Sequence, residues 1–261
     1  MKIRVLGCHG SDLVLDGQNR HQCRTSGFLI NGAVMVDAGT IAAALRLDEI
    51  RKIRHILVSH LHFDHIKGLP TLADSLVDDG CEPVSLTSTT SVLDGLTTHI
   101  FNNQIYPDFL QLPDPDKPVY RKVPMEANTD VQVGDLRVTA VPVNHLVPTV
   151  GFLIRDRQSS ILYSGDTSVT DEIWAQAARE PTLKAAFIET SFPDEMHELA
   201  AVSKHLTPSL FAQEFKKIGK PDLPVYVYHL KPRFRQTIER ELSKLGIKHL
   251  FVLEEEQEIE V

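Results

Sequence analysis

Four side chains of metal-ligand type crowd into six residues: His60, His62, Asp64 and His65 follow the apolar run Ile56-Leu57-Val58-Ser59 directly. That run reads as a short buried strand, so the cluster must sit where the backbone leaves a core. Alternate residues of an extended segment share a face, which aims His60 and His62 the same way. Asp64 and His65, one turn later, reach a second point a few ångströms off. Imidazole nitrogens and carboxylate oxygens are what a zinc-type cation takes, and this spacing suits two cations better than one. From the chain's own His and Asp frequencies, chance yields such a cluster in roughly two of a thousand sequences. Incidental histidines on a polar loop are therefore the weaker reading. Four ligands cannot fill two sites, so others must come from further strand ends. His145 follows the apolar run 138–143, Asp166 follows Ile161-Leu162-Tyr163-Ser164-Gly165, and His229 follows Val225-Tyr226-Val227-Tyr228.

The rest of the chain supplies such strands. Residues 2–6 read as one, and Gly27 to Asp37 as a hairpin about Asn31-Gly32, a favoured two-residue turn. Two more hairpins are expected, at 131–143 about Gly134-Asp135 and at 152–163 about 155–160. Helices are predicted over 41–53, 69–77, 91–101, 172–178, 208–218 and 232–245, and strands over 84–86, 185–188, 225–228 and 249–253. The segment 107–124 holds five prolines, which argues against regular structure there. It reads as a surface excursion or a lid, with Phe109 and Tyr120 either stacking on a base or serving an ordinary loop. The tail Glu254-Glu255-Glu256-Gln257-Glu258 reads as a solvated turn or edge. Hairpins mixed with helix–strand units through both halves predict an α/β (α+β) chain with sheets packed together and helices outside. Lacking an internal repeat or linker, 1–261 reads as one domain.

Composition narrows the partners. The 261 residues are 42% apolar and 24% charged, ample for a large core and unlike a disordered, collagenous or disulfide-built chain. Lys plus Arg is 27 against Asp plus Glu 35, a formal charge of −8, which argues against a long nucleic acid. Three cysteines are an odd, sparse set and read as reduced thiols. No apolar run approaches the ~18 residues of a membrane span, and His9, Ser11 and Asp12 come too early for a signal peptide. The expected address is cytoplasmic, with no membrane partner.

A second cluster concerns anions. Glu189-Thr190-Ser191 ends a predicted strand, and His205-Leu206-Thr207-Pro208 opens a helix, with Thr207 at the N-cap and Pro208 at the first helical position. His205 and Thr207 at a helix N-terminus are placed to hold a phosphate. Asp37 reads equally as a turn cap or as the acceptor that orients a ligand histidine. Lys231 faces either phosphate or solvent. His55, His99, His197 and His249 read as surface or satisfied histidines; His9 and His21 lie in loops that could approach the site, the weaker reading for both.

The set His60, His62, Asp64, His65, His145, Asp166 and His229 resembles the dinuclear site of the metallo-β-lactamase superfamily. The resemblance implies an αβ/βα sandwich, two mixed β-sheets flanked by helices, with metals at one edge. By that likeness His60, His62 and His145 hold one ion, Asp64, His65 and His229 the other, and Asp166 bridges them. The segments Ser59 to Gly68, Ser164-Gly165-Asp166-Thr167, Glu189-Thr190-Ser191, His205-Leu206-Thr207-Pro208 and Tyr228-His229-Leu230-Lys231-Pro232 resemble those of the class II cyclic-nucleotide phosphodiesterases. Phe63 stands where that family usually has Leu. This implies two divalent ions, zinc first with manganese or iron open, and hydrolysis of a 3′,5′-cyclic nucleotide (cAMP or cGMP) to the 5′-nucleotide by hydroxide held between the metals. Asp64 and His205 are the catalytic candidates, and the superfamily suggests a homodimer. The alternatives are a tRNA 3′-end processing type ribonuclease, which shares a histidine near His205 but carries a Gly-rich basic arm not seen here, another small-phosphodiester hydrolase, or a metal-stabilised nucleotide-binding protein.

Overall fold

Side chains along each strand alternate between two apolar layers, because successive residues of a strand point to opposite faces. In the computed structural model, which describes residues 1–14, 22–77 and 80–261, Val34 and Val36 enter one layer and Met35 the other. Phe152 and Ile154 likewise oppose Leu153, and Ala185 and Phe187 oppose Ala186. Both faces of each strand are covered, so these strands are apolar throughout.

One seven-stranded sheet runs Tyr120–Pro124, Val84–Ser88, His55–Leu57, Val34–Val36, Gly27–Ile30, Lys2–Gly7, Glu258–Glu260. The other runs Asp130–Val133, Leu136–Pro142, Val150–Arg155, Ser160–Tyr163, Leu183–Glu189, Val225–Tyr228, Leu250–Val252. Each mixes antiparallel hairpin pairings with parallel ones. Ile3, Phe28 and Leu57 of the first meet Val138, Phe152, Tyr163 and Phe187 of the second in a shared inner layer. Helices Gly68–Leu76 and Thr90–His99 cover the first sheet through Leu69, Leu72, Val92 and Leu96. Helices Glu172–Arg179, Pro208–Lys217 and Arg235–Ser243 cover the second through Trp174, Phe211 and Ile238. The result is a four-layer αβ/βα sandwich. Among the described residues no helix is long and apolar enough to cross a membrane.

The three predicted hairpins form. Asn31 and Gly32 both take positive φ (50 and 71), as the two-residue turn between oppositely running strands requires. Two expectations change. The helix expected over 41–53 is only Leu47–Ile50: Arg46 is extended, and its N–H donates to the Glu49 carboxylate at 3.0 Å, starting the helix afresh. Ile41, Leu45, Ile50 and Ile53 still reach the core, from a turn plus one helical turn. The proline-rich stretch is not irregular: Pro113–Asp114 pairs with Lys117–Pro118, and Tyr120–Pro124 is an edge strand. Proline is tolerated there because Pro124 is its last residue and 120–123 are proline-free. Phe109 and Tyr120 are buried in the outer layer, so neither stacks on a ligand. The acidic tail is the expected turn and edge strand, but within it the Glu255 side chain is only 8% exposed.

The Tyr120 hydroxyl donates to Leu69 O at 2.7 Å inside the core. Tyr120→Phe is expected to lower unfolding stability by about 1 kcal/mol in chemical denaturation, by removing that hydrogen bond. A change within about 0.5 kcal/mol is what a surface side chain gives and would contradict this placement.

Candidate metal centre

The candidate ligands lie just beyond strands of both sheets. His60 comes three residues after His55–Leu57, Asp166 three after Ser160–Tyr163, His145 three after Leu136–Pro142, and His229 directly after Val225–Tyr228. The helix Phe63–Ile66 carries Asp64 and His65. Gly165 supplies a positive φ of 61 just before Asp166, and a Cβ there would meet Val150 O at 2.7 Å, so only glycine fits this turn.

The structure brings all seven together. Donor atoms of His60, His62, His145 and Asp166 lie within 4.8 Å of one another, as do those of Asp64, His65 and His229. The Asp166 Oδ2 oxygen is 3.6 Å from His60 Nε2 and 3.3 Å from both His65 Nε2 and His229 Nε2. It is thus common to the two groups.

The far side of four rings fixes their tautomers. Ser59 donates its hydroxyl proton to Asp37 Oδ2 at 2.8 Å, so at 2.9 Å it must accept from His60 Nδ1. His65 Nδ1 donates to Asp37 Oδ2 at 2.6 Å, and His145 Nδ1 to Lys204 O at 3.0 Å. Ser191 donates to Glu189 Oε2 at 3.1 Å and accepts from His229 Nδ1 at 2.8 Å. A neutral imidazole carries one proton, so whenever these rings are neutral their Nε2 atoms keep a lone pair. These lone pairs converge: His65 Nε2 and His229 Nε2 are 3.2 Å apart, and His145 Nε2 is 3.0 Å from His62 Nδ1. Buried His60 Nε2 and Asp166 Oδ1 have no hydrogen-bond partner among the described residues. Converging lone pairs with orphaned buried acceptors are what a divalent cation satisfies, and the residues fit one.

Electrostatics favour the neutral form in four of the five ligand rings. Burial pushes His60 well below the ordinary imidazole range, and lowers His62, His145 and His229; neutral rings are the ligating form. Burial also opposes a proton on His65, yet Asp166 and Asp37 raise it well above that range. Burial resists ionisation of Asp64 and Asp166, but His229 and His65 beside them hold both carboxyls far below the usual range.

Asp37 is fully buried and accepts from Ser59 N, Ser59 Oγ, His65 Nδ1 and Tyr163 OH. Of its two readings, the orienting acceptor is the one observed. His205 sits beside the cluster, its Nδ1 donating to Glu189 Oε1 at 2.8 Å and its ring stacked on His229 with centroids 5.3 Å apart. Burial lowers its affinity for a second proton, but the Glu189 carboxylate outweighs this and raises it. Thr207 is buried and caps helix Pro208–Lys217, its Oγ accepting from Leu210 N at 3.5 Å. The hydroxyl oxygen thus serves the first turn of the helix as an acceptor. Lys231 Nζ lies 3.9 Å from Asp64 Oδ2 and donates to Gly10 O, at the rim of the site. His9 turns away to Glu255; His55, His99, His197 and His249 join no donor group, and His21 lies outside the described residues. Sequence reasoning missed the roles of Ser59, Tyr163 and Lys204 O. The first lay inside a quoted motif; the others leave no local trace.

A family model described as "Beta-lactamase superfamily domain" matches residues 18–229. The chain is 27% identical over 209 residues to a probable 3′,5′-cyclic-nucleotide phosphodiesterase of Yersinia pestis, covering 71% of this chain and 59% of that protein. It is 25% identical over 233 residues to a 3′,5′-cyclic-nucleotide phosphodiesterase of Aliivibrio fischeri, covering 77% and 68%. The chain therefore spans less than two thirds of the first relative's length. Among solved structures, unliganded yeast PDE1 superposes with a TM-score of 0.81 at 17% identity, covering 98% of both chains, a likeness of fold.

Asp37→Ala removes the acceptor behind His65 and behind the Ser59–His60 relay. It is expected to weaken divalent-metal binding about 10–100-fold in chelator competition. Unchanged affinity would return Asp37 to a turn cap.

Proposed function

The chain belongs to the beta-lactamase superfamily, and from that membership and the site's geometry we propose that it is a metal-dependent phosphodiesterase opening a 3′,5′-cyclic nucleotide to the 5′-nucleotide. The observation that carries this reading is the convergence of orphaned Nε2 and carboxylate acceptors beside a histidine backed by a buried carboxylate. His60, His62 and His145 would hold one divalent ion and Asp64, His65 and His229 a second, with Asp166 shared; zinc is the first choice. When bound, such ions supply an activated water and polarise a phosphoryl oxygen. The cyclic-nucleotide phosphodiesterase names of the two relatives support the substrate, and the −8 charge favours a small phosphodiester over a long RNA.

His205 is the proton donor in this reading. Glu189 holds its Nδ1 proton and makes the ring more basic, so Nε2 can carry a proton to the departing 3′-oxygen. Thr207 serves indirectly, by fixing where the helix after His205 begins. Ser164-Gly165 and Ser191 likewise position rather than react.

A cavity of about 740 Å³ adjoins the turn that carries Asp64 and receives the nucleoside in this reading. Its described lining includes Phe63, Lys67, Thr40 and Thr71. Phe63, 64% exposed, takes the stacking role that buried Phe109 and Tyr120 do not have.

The deciding experiment is product analysis after incubating the metal-replete protein with 3′,5′-cyclic AMP and cyclic GMP, with Asp64→Ala as control. A 5′-nucleotide absent from the control is expected. Cleavage of bis-p-nitrophenyl phosphate without either product would keep the chemistry and discard the substrate; salt-sensitive cleavage of RNA ends would favour the ribonuclease. His205→Ala is expected to slow cyclic-nucleotide opening about 10²–10⁴-fold. It should slow the p-nitrophenyl ester far less, because that leaving group needs no proton. Equal losses on both would remove His205 as the acid.

A further inference from the structure

His229 holds a left-handed backbone with φ 69, a conformation that a residue with a Cβ keeps only when its surroundings fix it. What fixes it is the segment Cys8 to Gly10. His229 N donates to Cys8 O at 2.6 Å, and Gly10 N to Leu230 O at 3.2 Å. The two chains touch so closely that a Cβ on Gly10 would meet His229 O at 2.9 Å. The bed itself is tied down by His9, whose side chain is 3% exposed and whose Nδ1 donates to Glu255 Oε1 at 2.7 Å. The same oxygen accepts Arg24 N at 2.8 Å, and His9 N donates to Arg24 O at 2.9 Å. The second Glu255 oxygen is buried with no partner among the described residues. A bare buried carboxylate oxygen is costly, so packing alone does not account for glutamate here.

We propose that Glu255 and His9 are positioning residues for His229, so that the C-terminal tail sets occupancy of the metal position formed by Asp64, His65 and His229. The inference rests on the metal reading above, but not on the substrate. Glu256 provides the contrast. It ties the same tail to Arg4 and Arg24 without touching His9, so a tail that is merely a staple would need both glutamates alike.

The test is Zn²⁺ binding to the metal-free protein, titrated against a chromophoric chelator, with melting temperature measured in parallel. Glu255→Ala is expected to weaken one of two Zn²⁺ equivalents about tenfold while sparing the other. Glu255→Gln, which still accepts from His9 and Arg24, should restore it. Glu256→Ala should lower the melting temperature and leave both affinities unchanged. The double variant His9→Ala/Glu255→Ala should bind no worse than either single one, because both break one connection. The clamp is overturned if Glu255→Ala and Glu256→Ala weaken zinc equally, if both equivalents weaken together, or if Gln fails to rescue. Wild-type protein that binds no Zn²⁺ overturns the metal reading and the clamp with it, whereas metal binding without cyclic-nucleotide hydrolysis leaves the clamp standing.

Discussion

The carboxylate of Asp37 ties fold to site. It lies at the end of Val34–Val36 in the first sheet, yet one of its four hydrogen bonds comes from Tyr163 in the second. An ionised carboxylate out of water must be fully partnered or it destabilises the fold. Its partners come from the strand-end turn at Ser59, from the helix bearing His65 and from the facing sheet. These meet only when the two sheets pack in one register. The apolar inner layer therefore supplies the driving force, and Asp37 selects the arrangement in which His60 and His65 face the same point.

That arrangement concentrates unfavourable charge. Two carboxylates and converging imidazole lone pairs share a buried space, and His65 holds a proton strongly only because Asp166 and Asp37 surround it. A divalent cation relieves the same field. Folding and metal binding are thus linked, since anything that binds the folded state alone stabilises it. The tight turns at Gly165 and His229 belong to the same balance: both hold positive φ, a local cost the surrounding hydrogen bonds must offset.

The sequence showed strands and ligand positions because both follow local rules. Short apolar runs bounded by turn residues mark the strands, and each candidate ligand follows such a run closely. Failures occurred where a distant partner decided the outcome. The break at Arg46 depends on the Glu49 side chain, and the proline-rich edge strand depends on pairing with Val84–Ser88. Glu255 looked like one acid in a charged tail; its partner His9 lies 246 residues away, beyond any spacing argument. Thr207 was read correctly as a cap, but the sequence could not show that capping buries its hydroxyl.

Five of the six histidines at the site divide by what lies opposite Nδ1. His60 and His229 face serine hydroxyls and His145 a carbonyl; burial then dominates, and all three are shifted down. His65 and His205 face carboxylates, Asp37 and Glu189, and both are shifted up in spite of burial, His65 with Asp166 adding the larger share. A charged acceptor stabilises the second proton, whereas a neutral one only orients the ring. One imidazole chemistry is thereby divided into uncharged donors for a cation and a basic ring able to carry a proton. In the proposed reaction His205, raised by Glu189 yet outside the seven-residue set, would be the ring free to use that proton. His65, raised within the set by Asp166 and Asp37, would have to release its second proton before it could hold an ion.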